Sequence, residues 1–373
     1  MSHGLIHVFE LSVPPLLILI QAEFGAGDFQ MGRVVTLYGM LFGLGALPAG
    51  WLVDRLGSKA LLLTCLWGGS LSMLGMAASP SLGMFAACAA FMGLALSIYH
   101  PAGTALITHS MQISGRVFAL HGMAGNLGVA LASVLAGSLG ALFGWRWALV
   151  LLAGAGILLG LRALSLPSPS LQEIKAREGK GNWLPFGLLL FAAIFMGMVY
   201  RGMTTFLPKF FAVTHTEDAA MGTALGGAMT TAALMIGLLG MYVAGRLADR
   251  GMRPAAVFLI GATLQVPFFL AIAWLGGSAL LPLAMGVAFF HFFTQPVANH
   301  MVADFTPPRM RGLGYGIYFF LAFGTGSLGA SLGGWISEQY GLALSFGALA
   351  VVAIPSIVAM AVLALMRPKE RNS

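Results

Sequence analysis

Long apolar runs separated by short polar, glycine- or proline-containing breaks extend from one end of the chain to the other. They lie near 2–24, 29–52, 59–78, 82–108, 116–141, 145–166, 185–211, 219–245, 254–276, 279–303, 311–336 and 341–366. Each is close to or above the roughly 20 residues a helix needs to cross a bilayer. They are numbered here as spans 1 to 12. Twelve spans in 373 residues leave only short connections. No further soluble domain fits between them, and an enzyme is not expected. The predicted fold is an all-α membrane protein.

The pattern repeats. Gly50-Trp51-Leu52-Val53-Asp54-Arg55 returns as Gly245-Arg246-Leu247-Ala248-Asp249-Arg250, and the same shift carries Pro101 onto Pro296 and Arg116 onto Arg311. Closely similar shifts carry Pro14 onto Pro208, Gly137 onto Gly334 and Gly144 onto Gly341. Near-constant offsets over most of the chain imply two tandem copies of one six-helix unit, a parallel repeat. Residues 1–166 and 185–366 form the two pseudo-symmetric bundles. Residues 167–184, with Pro167, Pro169 and a charged stretch to Lys180, form a cytoplasmic linker, and 367–373 a cytoplasmic tail. The second loop lacks the later glycine and lysine spacing of Gly57 and Lys59. Pro185 maps upstream of Met1, so span 1 is about two turns short of its counterpart by helix pitch, and a start further upstream is expected.

Composition agrees with lipid as solvent. The chain is 58% hydrophobic and 8% charged, where a soluble domain would carry roughly a quarter charged residues. The net charge of +7 could suggest nucleic acid. Its distribution says otherwise: with both termini inside, most Lys and Arg fall on cytoplasmic segments, the positive-inside bias. A multi-pass protein of the cytoplasmic membrane with no nucleic-acid partner, and monomeric, is expected. Cys65 and Cys88 lie within spans 3 and 4 and read as small apolar filler. Small residues at spacings of three and four, Gly122, Gly125, Gly128, Ala132 and Ala136 on span 5 and Gly324 to Gly334 on span 11, suit close helix contact in lipid.

The pattern Gly-x-Leu-x-Asp-Arg-x-Gly-x-Lys at Gly50–Lys59, with its second copy, resembles the signature loop of the major facilitator superfamily, and the resemblance covers the whole chain. Within that superfamily the first 130 or so residues are similar to fosmidomycin-resistance efflux proteins, through Ser2-His3, Gln21-Ala22-Glu23-Phe24, Tyr99-His100-Pro101, Gly115-Arg116 and Gly125-Asn126-x-Gly128. That pattern has an acid where His7 stands, an amide at Glu10 and Glu at Ala102, and the proline of the drug-antiporter motif on span 5 is absent. The resemblance implies alternating access around a central cavity lined by spans 1, 4, 7 and 10. It further implies a cytoplasmic gate using Asp54, Arg55, Arg116, Asp249 and Arg250, and efflux of a drug-like molecule by proton antiport.

Of the 12 acidic residues, only Glu10 maps to mid-membrane, where an ionised side chain costs about 2.5–3.5 kcal/mol or more. His3, His7, Glu10 and Pro14 share one helical stripe. Glu10 with His7 is therefore the candidate proton-coupling group; permanent pairing to His7 or Arg201, or a water-facing residue without a role, are the other readings. Arg201 on span 7 is the matching cation, opposite His7 by the repeat, and its planar fork suits a carboxylate or phosphonate. It serves either a substrate anion or a constitutive pair with Glu10. Tyr200, Thr204 and Thr205 flank it, whereas Lys209 is expected to snorkel to headgroups. Ser97, His100, Thr104 and Thr108 with Tyr99 on span 4, and His291, Gln295 and Asn299 on span 10, form further polar stripes that face the cavity, bordered by His121 and Asn126. His3 and His7 could chelate Zn²⁺, but only one buried carboxylate and no cysteine cluster are at hand to complete the site, so neither a metal nor a cofactor is expected. The expected partners are a small anionic or amphipathic organic substrate and protons. Proton-coupled uptake of a carboxylate is the alternative to efflux, and a non-transporting receptor or scaffold is a third reading.

Overall fold

A computed structural model of the protein describes residues 1–100, 102–103, 115–166, 181–275, 277–307 and 310–366. The expected linker, up to Lys180, and the tail 367–373 lie outside the described residues, as do Pro101, Thr104 and Thr108. Among the described residues, eleven helical segments are long and apolar enough to cross a membrane, and Leu82–Ser97 is a shorter apolar helix. Their outer faces carry large apolar side chains in the open, such as Phe91, Trp274 and Leu365, as lipid-facing surfaces require.

Eight predicted spans are continuous where described: Asp28–Leu56, Ser58–Ala77, Gly115–Phe143, Trp145–Ala163, Trp183–His215, Ala219–Asp249, Pro254–Leu275 and Leu342–Leu365. Span 4 is helical over Leu82–Ser97, turns at Ile98 and is helical again at 99–100. Three further expected single helices are broken. Span 1 is Ser2–Glu10, a 3-10 turn at Pro14–Leu16, then Leu17–Phe24. Pro14 and Pro15 are two consecutive residues without an N–H, and their rings crowd the carbonyls four residues back, beginning with Glu10. Span 10 is Leu280–Phe293 and Gln295–Phe305, divided at Thr294 just before Pro296. Span 11 runs Arg311–Phe319, a π turn Phe320–Gly324, a 3-10 turn Thr325–Ser327 and Leu328–Tyr340.

The duplicated frame is visible in matched turns. Gly57 and Gly251 both hold positive φ (81° and 90°), as do Gly144 and Gly341 (82° and 93°), a backbone region that costs only glycine nothing. Lys59 donates to the carbonyl of Leu164, just past span 6, and Arg253 donates to Ala364 and Met366 at the end of span 12. A cation thus satisfies the last free carbonyls of a helix in both copies. The second loop therefore keeps a glycine and a base in the same roles, although their spacing differs as read from the sequence; each sits one residue nearer its Asp-Arg pair.

Close approach carries the contacts between elements before residue 166 and those after 182. A methyl on Gly32 would lie 2.4 Å from the carbonyl oxygen of Ala330, one on Gly43 2.5 Å from Gly324, and one on Gly334 2.3 Å from that of Asp28, so spans 2 and 11 touch through backbone. Spans 5 and 8 do the same at Gly137 and Gly227, where Thr231 Oγ1 also donates to the carbonyl of Ala130 at 2.7 Å. At the end of the bundle that holds Asp28, Lys209 pairs with the Asp28 carboxylate and donates to Gln21 Oε1 at 2.9 Å. Ser337 donates to Asp28 at 2.6 Å, and the Phe29 amide donates to Glu338 at 2.8 Å. Lys209 is mostly buried in this network, so it does not snorkel as expected: a carboxylate lies within its reach. At the opposite end, among the described residues, Arg55 lies over Trp51 and forms no ion pair, and Asp249 and Arg250 are exposed.

Two outcomes test this packing. Gly329→Ala puts a methyl 2.0 Å from the Met198 carbonyl oxygen and should cost ~1–3 kcal/mol in thermal unfolding. Gly122→Ala meets nothing within 4 Å and should be neutral or stabilising by up to ~1 kcal/mol. In a protein whose sole cysteine is Ser331→Cys, Lys209→Met should speed maleimide labelling severalfold, because the Asp28 end loses its cation.

Candidate functional site

Span 1 ends its first helix at Glu10 because Pro14 cannot donate to the Glu10 carbonyl. Tyr38, from span 2, fills that vacancy: its hydroxyl donates to the Glu10 carbonyl oxygen at 2.9 Å. The Glu10 side chain, 1% exposed, is held on both oxygens. Oε2 faces His7 Nδ1 at 2.8 Å, and Oε1 accepts from Arg201 Nη2 at 2.6 Å. Arg201, also 1% exposed, donates through Nη1 to the Tyr38 hydroxyl at 3.3 Å. Its Nε is buried with no hydrogen-bond partner among the described residues.

The guanidinium lies beside the rings of Tyr38 and Tyr200, 5.4 and 5.8 Å from their centroids, close enough for cation–π attraction. Thr204 and Thr205 spend their hydroxyls on the carbonyls of Tyr200 and Arg201. Tyr200 stacks on His291, whose Nδ1 meets Gln265 Oε1 at 3.2 Å. Gln295 is half-buried and Asn299 exposed, so along span 10 the predicted stripe runs from the buried interior out to the surface. The Asn299 carbonyl accepts from Tyr315.

On the other side of His7, four imidazoles gather. The His3 ring lies 5.1 Å from His7, 5.2 Å from His100 and 4.1 Å from His121. Tyr99 stacks against His3 at 5.3 Å. His3 Nδ1 meets the His121 carbonyl oxygen at 2.7 Å. A methyl on Gly125 would lie 2.4 Å from the His3 ring, so the small residue there makes room for imidazole. Asn126 is half-buried and donates to the Gly122 carbonyl.

The structure thus brings together Glu10, His7, Arg201, Tyr200, His100, Tyr99 and His121, with His291 behind Tyr200. Arg201 reaches Glu10, one of the pairings the sequence left open. Of the expected gate, the side chains of Asp54 and Arg116 lie outside the described residues. Sequence reasoning missed Tyr38 and Gln265. Each is a polar group inside an apolar run, a signal that was available but weaker than a charge.

The profile of the Major Facilitator Superfamily matches residues 3–327 and again 227–373. A D-galactonate transporter of Escherichia coli O6:H1 is 22% identical over 375 residues, covering 90% of this chain and 86% of that protein. A probable galactarate/D-glucarate transporter of Bacillus subtilis is 24% identical over 350 residues, covering 80% and 75%. Among solved structures, the inward-facing, occupied form of a bacterial homologue of the human lysosomal transporter Spinster superposes with TM-score 0.73 at 17% identity, covering 97% of this chain and 93% of that one. The nucleoside transporter NupG superposes with TM-score 0.77 at 15% identity, covering 97% and 98%. At such identities these structures establish the fold.

Removing one partner of the buried pair should be worse than removing both. Arg201→Met should destabilise by ~3–5 kcal/mol by stranding a carboxylate, whereas Glu10→Gln/Arg201→Met should recover most of that loss, read as thermal unfolding in detergent.

Proposed function

That the chain belongs to the major facilitator superfamily is the premise from which we propose a proton-coupled carrier of a small, carboxylate-bearing organic anion. It is a multi-pass membrane protein of a transporter family and not an enzyme. The observation that carries the proposal is Arg201: a fully buried guanidinium with one donor on Glu10, one on Tyr38 and Nε free of any described partner.

Such a cation offers an incoming carboxylate a planar fork. A substrate anion taking Nε and Nη2 would displace Glu10. A carboxylate deprived of its cation in the bilayer interior is far costlier charged than protonated, so Glu10 takes a proton as the substrate binds, with His7 as its neighbour. Substrate and proton then occupy the site together. That is the stoichiometric logic of symport, and the names of the sugar-acid relatives favour the same substrate class. Tyr200, Tyr99, His100, His291, Gln295, Asn299, Thr204, His121 and Asn126 are the proposed polar lining, to which Tyr38 and Gln265 are added. The likeness of the first 130 or so residues to fosmidomycin-resistance proteins supports the second reading, efflux by proton antiport.

Residues 1–166 and 185–366 are taken as the bundles that rock. The clustering of Lys and Arg toward the Asp54 end supports placing that end and both termini in the cytoplasm of the inner membrane. The Asp28 end then faces outward, and the links among Asp28, Lys209, Ser337 and Glu338 close it, as in an inward-facing arrangement. Asp54, Arg55, Arg116, Asp249 and Arg250 would engage when the cytoplasmic side closes in turn.

Proteoliposomes with a trapped pH dye test this. Adding D-galactonate or D-glucarate outside should acidify the lumen; alkalinisation would establish antiport instead. Glu10→Gln should abolish the coupled proton signal yet retain substrate binding, and Arg201→Ala should lose binding. Full gradient-driven transport by Glu10→Gln would refute the role given to Glu10.

A further inference from the structure

We propose that His3, His7 and His100 form a binding site for a divalent transition-metal ion of the Zn²⁺ class. This site shares His7 and His100 with the proposed anion site but does not rest on that reading. One ring nitrogen from each of the three lies within 4.8 Å of the other two. A tetrahedral Zn²⁺ with Zn–N bonds of 2.0–2.1 Å holds its nitrogens about 3.3 Å apart. Ring movements of under about 1 Å each close that gap.

Geometry also fixes which nitrogens are free to ligate. A carbonyl oxygen can only accept, so His3 Nδ1, 2.7 Å from the His121 carbonyl, carries the hydrogen. Neutral His3 then presents its lone pair on Nε2, and that atom is buried without a described partner. His7 Nδ1 likewise faces the Glu10 carboxylate at 2.8 Å, leaving its Nε2 as the lone-pair atom. These are the two arrangements by which proteins orient metal-binding histidines, an imidazole N–H held by a carbonyl and one held by a carboxylate. His100 Nε2 is the second buried nitrogen with no described partner. Two orphaned imidazole nitrogens in an apolar interior are costly, and one cation would satisfy both.

Three neutral imidazoles suit Zn²⁺, Ni²⁺ or Co²⁺ and not Mg²⁺ or Ca²⁺, which select oxygen. The Glu10 carboxylate, one hydrogen bond from His7, is the nearest acid and is shared with Arg201. Three protein ligands leave a fourth position for water or for a group of a bound molecule. Sequence spacing could pair only His3 with His7; the fold supplies the third ligand from span 4.

The experiment uses the full chain in detergent, stripped with chelator, loaded with ZnCl₂ and desalted. The wild type should retain one zinc per chain, and zinc X-ray absorption should count three imidazoles. His3→Gln/His100→Gln should bind at least tenfold more weakly by calorimetry, while His300→Gln, an exposed histidine beside Asp304, should be unchanged. Retention of no zinc by the wild type, equal affinity in the double variant, or a zinc shell dominated by oxygen would each overturn the site. Should the double variant fail to fold, the absorption spectrum of the wild type decides. None of these outcomes bears on proton flux with Glu10→Gln, so the two proposals fail separately.

Discussion

Two opposite charges sealed from water inside a lipid-embedded bundle must satisfy each other, and the local structure around Glu10 and Arg201 follows from that demand. The pair sits at 2.6 Å with both residues 1% exposed. Desolvating two ions costs several kcal/mol each, and their attraction repays it only if the remaining donors and acceptors are met. His7 meets the second carboxylate oxygen, and Tyr38 meets both the guanidinium and the carbonyl that Pro14 frees. Only Arg201 Nε goes unanswered by any described group. A pair so nearly satisfied holds its helices together yet leaves one guanidinium N–H unmet by any described group. It is well suited to being exchanged for another anion.

The spans that build this pair also build the network at the Asp28 end, where span 11 adds Ser337 and Glu338. Span 1 contributes Glu10 and Gln21, span 2 contributes Tyr38 and Asp28, and span 7 contributes Arg201 and Lys209. Ten residues separate Tyr38 from Asp28, roughly 15 Å of continuous helix, and eight separate Arg201 from Lys209, roughly 12 Å. Rigid helices joining two ion pairs transmit displacement rather than absorb it. Spans 2 and 7 each pack on span 11 backbone against backbone at glycines, where packing has no slack. Continuous helix in spans 2 and 7 thus links the two ion pairs.

Charge made part of this legible in the sequence. Glu10 and Arg201 stood out because an ionised group in an apolar run has few innocent explanations, and the repeat located the signature loops. Tyr38 and Gln265 escaped because an uncharged polar group in lipid is cheap enough to be ordinary. Lys209 was misread for want of knowing that Asp28, from a separate span, would come within reach. Helix breaks were underread: paired prolines at Pro14-Pro15 divide span 1, whereas the single Pro208 leaves Trp183–His215 unbroken. The third histidine of the imidazole cluster could not be found by spacing at all, since His3 and His100 meet only through tertiary packing.

Duplication supplies the frame, and divergence supplies the chemistry. Matched glycine turns and helix-capping bases recur in both copies. Carrying Pro14 onto Pro208 sets His7 against Arg201, Glu10 against Thr204 and His3 against Gly197. The first copy thus holds the acid and the imidazoles, and the second holds the guanidinium. A symmetric site would have put two carboxylates or two cations face to face, each repelling its twin in a medium that screens poorly. By placing acid and base at non-equivalent positions of one repeat, the chain gains an attraction that exists only when both copies meet. The interior pair is therefore also a contact between the duplicated units, and what weakens it loosens their union.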